Sequence, residues 1–363
     1  MKKKNLIFFI PEFVKGGAGN SIVSLCKNIN KNFFFINIIC LGKCEYKREL
    51  SQNIKIFELD KKRTLFAQFA IRKIISSILS NSLKTIFISN FFYANVLVGL
   101  FQKKDKNIKY IFTERTTLSE LYIYFGIKDF LKKNIIKLLV KILYRKADLV
   151  IANSKKVSKD LKLFANCITN HVYPGTFKKF NKKKFNKKKV KHILWVGRLA
   201  KEKGLEILLK GFRKIDKKRY KLKIIGSGPL RNELARQVKD YNLNNNIELI
   251  GYKKNISAYL KKSDLLINTS YFEGFPNVVI EALSNSVPVI SSKSKGGIYE
   301  ILKDGAYGNL FDLDRPNDLT KKINFFLKNP EDLNKKAQAS KKHLFKFEKK
   351  KSAKNYEKIF LNL

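Results

Sequence analysis

The chain has 363 residues, 44% of them apolar, enough for about two folded domains of roughly 150 residues each and against wholesale disorder. Its 76 Lys and Arg against 29 Asp and Glu leave a net charge of +47. That points to anionic partners: nucleic acid, an acidic membrane face or phosphorylated ligands. An AT-rich coding bias toward Lys, Asn, Ile and Phe is the alternative source of much of the same charge. The only histidines are His171, His192 and His343, so HExxH is absent and a histidine-built zinc site is disfavoured. The four cysteines, Cys26, Cys40, Cys44 and Cys167, form no CxxC and read as reduced thiols of a cytosolic protein.

The opening MKKKNLIFFIPEF pairs a basic run with a short apolar run, as a signal peptide does. The apolar part is too short, and Pro11, Glu12 and Lys15 interrupt the continuation, so a first β-strand fits better. No stretch approaches the roughly 18–20 apolar residues of a membrane span. Short apolar runs then recur at Leu6–Ile10, Phe34–Leu41, Thr85–Ser89, Tyr110–Thr113 and Leu149–Ala152. A second series occupies His192–Val196, Leu222–Ile225, Ile247–Ile250, Leu265–Asn268 and Val287–Ser291. Each run precedes a helical pattern, which predicts buried parallel strands covered by helices on both faces.

The chain is therefore α/β, with two doubly wound Rossmann-like domains. The expected boundaries are 1–176, a basic linker at 177–191, a second domain at 192–340, and a basic C-terminal helix at 341–363 able to pack back on the first domain. Residues 1–190 carry 40 of the cations and 11 of the acids, which makes the first half the more cationic.

Four segments carry chemistry. Gly16-Gly17-Ala18-Gly19-Asn20 lies between the first strand and a helix beginning at Ser21; it suits an anion at a helix N-terminus, or is a plain flexible connection. The dinucleotide fingerprint GxGxxG is absent, which argues against an NAD enzyme. Gly197-Arg198-Leu199-Ala200-Lys201-Glu202-Lys203-Gly204 leaves a strand with Arg198 and Lys203 five apart; the pair could clamp a diphosphate, and a solvated basic loop is the alternative. Gly226-Ser227-Gly228-Pro229 is a second close-approach turn or an ordinary tight one. Glu273-Gly274-Phe275-Pro276-Asn277-Val278-Val279-Ile280-Glu281-Ala282-Leu283 places two carboxylates eight apart. Glu273 is expected on a loop and Glu281 two turns into a helix, with a ligand hydroxyl as partner of the latter.

GRLAKEKG, IIGSGPLRNEL, EGFPNVVIEALSNSVPVISS and GGIYEILKDGAYGNLF, in this order and spacing over roughly residues 192–313, resemble the retaining glycosyltransferases of family GT4. The opening glycine-rich loop matches the same family. The GFPNVVIEAL form resembles the branch that builds bacterial lipopolysaccharide, capsule and O-antigen polysaccharide.

The resemblance implies a GT-B fold, its two Rossmann-like domains facing across a cleft, and a nucleotide-sugar donor, with UDP favoured. Arg198 and Lys203 would hold the diphosphate, and Glu281 the ribose hydroxyls. Glu273 would meet the transferring sugar beside the Gly274 and Phe275 backbone. Gly17 would approach the phosphate, Gly226 and Gly228 would line the donor site, and Tyr252 and Asn255 would lie beside the base. No metal or other cofactor is expected, because the cations take over charge neutralisation. Retention would proceed by front-face attack assisted by the leaving phosphate. Many relatives present a His after the fourth strand of the first domain. Here Thr113-Glu114-Arg115-Thr116 stands there, so Glu114 and Arg115 would contact donor sugar or acceptor, or form a strand-end salt bridge.

The family's acceptors, a glycan or lipid-linked glycan, direct attention to residues 121–146. That run mixes aromatic, aliphatic and cationic residues at helical spacing, as in a helix lying in an anionic headgroup layer or in a core helix with a Lys-rich outer face. The first of these would place the protein at the inner face of the cytoplasmic membrane. The rival class, a nucleic-acid-binding protein, has only charge in its favour, since no zinc finger or RRM signature is present. A GT-B sugar-nucleotide epimerase would share the fold without the EGFPNVVIEAL form, and a phosphorylase would need a pyridoxal-phosphate lysine site that is not identifiable.

Overall fold

The computed structural model describes all residues except 1–2, 62–66, 80–82, 103–104, 125, 182–190 and 316. The chain forms two compact units, Met1–Gly175 with Lys349–Leu363, and Thr176–Glu348.

The first unit is built on a parallel sheet of β1 (Lys4–Phe9), β2 (Phe34–Cys40), β3 (Lys55–Glu58), β4 (Thr85–Asn90), β5 (Ile108–Glu114), β6 (Leu149–Ala152) and β7 (Thr169–His171). The strand order is β3-β2-β1-β4-β5-β6-β7. Successive side chains of a strand point to opposite faces, so β1 feeds two cores. Ile7 and Phe9 join a cluster with α2 (Gln68–Leu79), α3 (Phe92–Phe101), α4 (Ile127–Leu143) and α5 (Lys155–Ala165). Leu6 and Phe8 join another with α1 (Gly17–Asn28) and the C-terminal helix Lys349–Asn362.

That last helix supplies Ala353, Tyr356 and Phe360 to the core. Lys4 closes its end by donating to the carbonyls of Phe360 at 3.1 Å and Leu361 at 2.9 Å, where the helix dipole favours a cation. The basic tail thus divides: residues from Lys349 belong to the first unit, and those before it to the second.

The second unit has a parallel sheet of β8 (Lys191–Val196), β9 (Tyr220–Ile225), β10 (Ile247–Gly251), β11 (Leu265–Asn268), β13 (Val289–Ser292) and β15 (Asn309–Phe311), in the order β10-β9-β8-β11-β13-β15. A separate pair, β12 (Phe272–Glu273) and β14 (Lys295–Gly296), lies outside it. The helices include α6 (Leu205–Arg213), α7 (Arg231–Asp240), α8 (Ser257–Lys262) and α9 (Asn277–Ser284).

The segment expected as a linker at 177–191 lies partly outside the described residues. Its beginning packs within the second unit. Phe177 is buried, and its ring sits 4.6 Å from that of Phe180. Asn181 donates through its amide to the Ser284 carbonyl at 2.8 Å and through its side chain to Asn285 at 2.9 Å.

The run 121–146 is not one helix. A 3-10 turn (Leu118–Tyr122) precedes α4, and another (Tyr144–Lys146) comes after it. Among the described residues no helix is long and apolar enough to cross a membrane.

Candidate active site

In the second sheet β8 is flanked by β9 on one side and β11 on the other, so the strand order reverses there. Loops leaving the C-terminal ends of strands on either side of such a reversal diverge and open a crevice, where open α/β sheets bind ligands. The loop after β8 holds Arg198 and Lys203. The loop after β11 leads through Ser270 to Glu273. The structure joins them: the Lys203 ammonium forms an ion pair with the Glu273 carboxylate, both side chains mostly buried. Ser270 Oγ donates to the same carboxylate oxygen at 2.8 Å. An ammonium has three N–H donors, so this pairing leaves Lys203 able to reach an anionic oxygen as well.

Two further bonds lock the loops together. Trp195 Nε1 donates to Thr269 Oγ1 at 3.1 Å, and Thr269 Oγ1 donates to the Lys203 carbonyl at 2.7 Å. Gly204 turns the chain at a φ of +59°, and a Cβ there would stand 2.3 Å from the Thr269 carbonyl oxygen. Arg198 is exposed; its Nε and Nη2 donate to Glu202 Oε1 at 3.2 Å and 2.6 Å. In so open a position this ion pair contributes little to stability, and the guanidinium can be exchanged onto another anion.

Gly226 and Gly228 serve the approach of one backbone to another. The loops after β8 and β9 stay paired beyond the strands: Gly197 donates to the Ile225 carbonyl at 3.0 Å and Leu199 to that of Ser227 at 2.8 Å. A Cβ on Gly226 would lie 1.8 Å from the Gly197 oxygen, and one on Gly228 2.4 Å from the Leu199 oxygen. These glycines are therefore required by the contact between the loops, which fixes the backbone that carries Arg198. Gly226 also donates to the Gly251 carbonyl at 3.0 Å, tying in the end of β10. Tyr252 and Asn255 come next, on the surface, where the Asn255 side-chain oxygen accepts from the Ser257 amide at 2.9 Å and so stabilises the start of α8.

The two glutamates differ from the expected arrangement. Glu273 is in β12, paired with Gly296 of β14, rather than on a free loop. Glu281 is the fifth residue of α9, one turn in rather than two. Residues eight apart share a face only within one helix, and of these two only Glu281 is helical, so the spacing does not by itself bring the carboxylates together. Gly274 is buried and its carbonyl accepts from the Gly297 amide at 3.0 Å. Phe275 is buried against Phe347, ring centroids 5.2 Å apart. Glu281 is half-buried.

The first sheet reverses between β1 and β4. The glycine-rich segment after β1 is not a loop before a helix: α1 starts at Gly17, so Gly17-Ala18-Gly19 is its first turn. It is held by Tyr46, a residue with no motif to mark it in the sequence. Tyr46 Oη accepts from the Gly16 amide at 3.0 Å and donates to Asn20 Oδ1 at 2.8 Å. A Cβ on Gly19 would meet the Tyr46 ring at 2.6 Å, so this glycine makes room for the tyrosine. Tyr46→Phe removes both bonds. At roughly 0.5–1.5 kcal/mol each, it is expected to cost about 1–3 kcal/mol in urea unfolding of the first unit. A variant as stable as wild type would show that the clasp is dispensable.

At the end of β5, Glu114 and Arg115 part to different partners, as successive strand residues do. The Glu114 side chain, expected at the reacting centre, is instead fully buried. It accepts from Asn95 Nδ2 at 2.6 Å and from the Tyr144 hydroxyl. Burial pushes its carboxyl up to about 8. Arg115 is half-buried; its Nε donates to Asn90 Oδ1 at 3.2 Å, and its carbonyl accepts from Asn153 at 2.7 Å. Burial lowers its pKa. Asn90, which ends β4 beside the reversal, also accepts from Thr113 Oγ1 at 2.6 Å.

Glu114 has a pH signature. A carboxyl with a raised folded-state pKa binds its proton more tightly in the native than in the unfolded chain. The stability it contributes is full below the ordinary carboxylate range and is lost as pH rises through about 8. Melting temperatures from pH 5 to 9 should therefore fall more steeply for wild type than for Glu114→Gln. Parallel curves would show that Glu114 is not the titrating group.

Two doubly wound parallel units in one chain are the elements of a GT-B type of architecture. Solved structures agree. The chain superposes on the Anabaena protein HepE, determined in complex with UDP and glucose, with a TM-score of 0.78 at 18% identity, covering 99% of this chain and 100% of that one. Residues 15–173 match the family described as Glycosyltransferase Family 4, and residues 177–343 the family described as Glycosyl transferases group 1. The chain belongs to the GT4 glycosyltransferases.

Among curated relatives, an uncharacterized glycosyltransferase of Methanocaldococcus jannaschii is 32% identical over 57% of this chain. The N-acetylgalactosamine-N,N'-diacetylbacillosaminyl-diphospho-undecaprenol 4-alpha-N-acetylgalactosaminyltransferase of Campylobacter jejuni is 30% identical over 64% of it. The matched stretches span 53% and 64% of those relatives' own lengths.

Proposed function

We propose that the protein is a retaining, metal-independent glycosyltransferase. It moves a hexose or N-acetylhexosamine from a UDP-sugar to a growing lipid-linked glycan of a bacterial surface polysaccharide such as lipopolysaccharide, capsule or O-antigen. The observation that carries the reading is the Lys203–Glu273 pair at the strand-order reversal of the second sheet. It sets a cation for the diphosphate beside a carboxylate for the sugar.

In this reading Arg198 and Lys203 neutralise the charge that grows on the leaving diphosphate, as a metal ion does in other transferases. Glu281, on α9, takes the ribose hydroxyls, and Glu273 takes the sugar, oriented by Ser270. The UDP bound by HepE and the undecaprenol-linked acceptor in the name of the Campylobacter relative support donor and acceptor class. The work then lies at the inner face of the cytoplasmic membrane, on an anionic surface, with no role for nucleic acid.

A thermal-shift screen of nucleotide-sugars tests the donor. A ligand at 100 times its Kd adds about 2.7 kcal/mol to the native state. A UDP-sugar should raise Tm while random duplex DNA does not; the reverse result overturns the reading. Proton NMR of the first-formed product tests retention, and an inverted anomer refutes it.

A further inference from the structure

A helix that covers a sheet needs one apolar side, and α4 has two. Ile136, Val140 and Leu143 face inward and join the core of the first unit. Ile127, Leu131, Ile135, Leu138 and Ile142 are each more than half exposed. At 3.6 residues per turn the exposed five fall within roughly 80° of the helix circumference, as one stripe about 22 Å long, opposite the core side.

Lysines border the stripe. Lys128 and Lys132 lie along one edge and Lys141 along the other, all exposed. Lys132 rests its ammonium 4.3 Å above the Tyr93 ring, and Lys137 lies 4.4 Å above that of Tyr122. Lys133, by contrast, is buried, paired with Asp129 at 2.8 Å and donating to the Ile123 carbonyl at 2.7 Å, so it is no part of this surface.

Among the helices of this unit the exposure is one-sided. Neighbouring helices of the same layer add Phe69 on α2, Leu100 on α3 and Leu163 on α5. On the opposite layer, α1 and the C-terminal helix expose no large apolar side chain among the described residues.

We infer that the outer stripe of α4 inserts into the acyl boundary of an anionic bilayer, with Lys128, Lys132 and Lys141 reaching to headgroup phosphates. The inference deepens the membrane-side reading above and rests on it. Its ground is the alternation of a continuous apolar stripe with cationic borders, the pattern of helices that lie in a membrane plane. Charge decides against a second copy of the chain as occupant. Pairing two such faces would oppose one set of lysines to another in a molecule of net charge +47, whereas acidic headgroups neutralise them.

Flotation with phosphatidylcholine vesicles containing roughly one third phosphatidylglycerol tests it. Wild type should float at low salt. Part of the binding should persist at about 0.5 M salt, where the Debye length is roughly 4 Å and only apolar insertion is left. Leu131→Ser with Ile135→Ser and Leu138→Ser should reduce partitioning at least tenfold at both salts. Lys128→Gln with Lys132→Gln and Lys141→Gln should weaken low-salt binding and flatten its salt dependence. Leu138→Trp should shift its emission to the blue on adding vesicles; Trp195, buried in the second unit, gives a constant background.

Far-UV circular dichroism confirms folding of each variant, and all should keep the Tm rise with nucleotide-sugar. Absence of wild-type flotation at low salt overturns the proposal, as does a serine triple variant that floats like wild type. A serine variant that turns a dimer into a monomer without changing flotation assigns the stripe to self-association and overturns it too. A nucleotide-sugar response without vesicle binding refutes this proposal alone; vesicle binding without that response refutes the enzymatic reading instead.

Discussion

Lys203→Ala is expected to weaken UDP binding about 10- to 100-fold, because a hydrogen bond to a charged group is worth roughly 1.5–3 kcal/mol. Glu273→Ala should instead leave UDP affinity within a few-fold and lower kcat by roughly 100-fold, since in the proposed reading its work is done on the sugar as the glycosidic bond breaks. The ion pair between them makes the two effects interdependent. Removing Lys203 leaves Glu273 with Ser270 and no cation, so the double variant should lose less than the product of the single losses. In the proposed reading Glu281 holds the ribose in ground and transition state alike, so Glu281→Ala should raise the Kd for UDP and spare kcat. Calorimetric titration with UDP and steady-state kinetics separate these outcomes. Unchanged UDP affinity in both Lys203→Ala and Arg198→Ala would remove the diphosphate clamp; reversed roles for the two glutamates would exchange their assignments.

Gly226→Ala is expected to be the most damaging single methyl in the second unit. Its Cβ would stand 1.8 Å from the Gly197 carbonyl oxygen, and its φ of +153° is one that L side chains rarely adopt. The obstructing atom is backbone, held by the hydrogen bond from Gly197 to Ile225, so it cannot swing away as a side-chain tip would. Overpacking and backbone strain each cost about 1–3 kcal/mol, about 2–6 kcal/mol together, which for a unit of this size lowers Tm by roughly 4–24 °C. Trp195, the sole tryptophan, lies in this unit and against Gly197, so its fluorescence reports the transition. The same variant should lose UDP affinity, because the displaced segment carries Arg198. By comparison Gly16→Ala, whose Cβ would meet nothing within 4 Å, should leave Tm almost unchanged. Equal melting of Gly226→Ala and wild type would mean that the two loops are not interlocked in solution.

Strands are legible in this sequence where burial is symmetrical. A parallel strand covered on both faces must be apolar throughout, which is why the runs at Leu6–Ile10 and Leu265–Asn268 stand out and reappear as β1 and β11. Three other strands are not legible. Lys55–Glu58 is half exposed, Thr169–His171 is polar, and Phe272–Glu273 is two residues long, so none leaves a periodic signal. The last of these matters for the site: without β12, Glu273 reads as a residue of a free loop ahead of the helix that carries Glu281.

The class of the protein and the identity of its chemical groups are legible in the amino-acid order. Each motif is a local property, written in one short segment, and the motifs named Arg198, Lys203, Glu273 and Glu281 as candidates. Tertiary structure alone decided which of these meet. Lys203 and Glu273 are 70 residues apart in the chain and are brought together because the sheet reverses its strand order between β8 and β11. Likewise only the fold shows that Gly226 yields to Gly197, that Tyr46 clasps Gly16, and that Glu114 turns into the core toward Asn95 and Tyr144. The outer face of α4 obeys the same rule. Its periodicity fits two apolar sides equally well, and packing against the sheet consumed one of them and left the other to solvent.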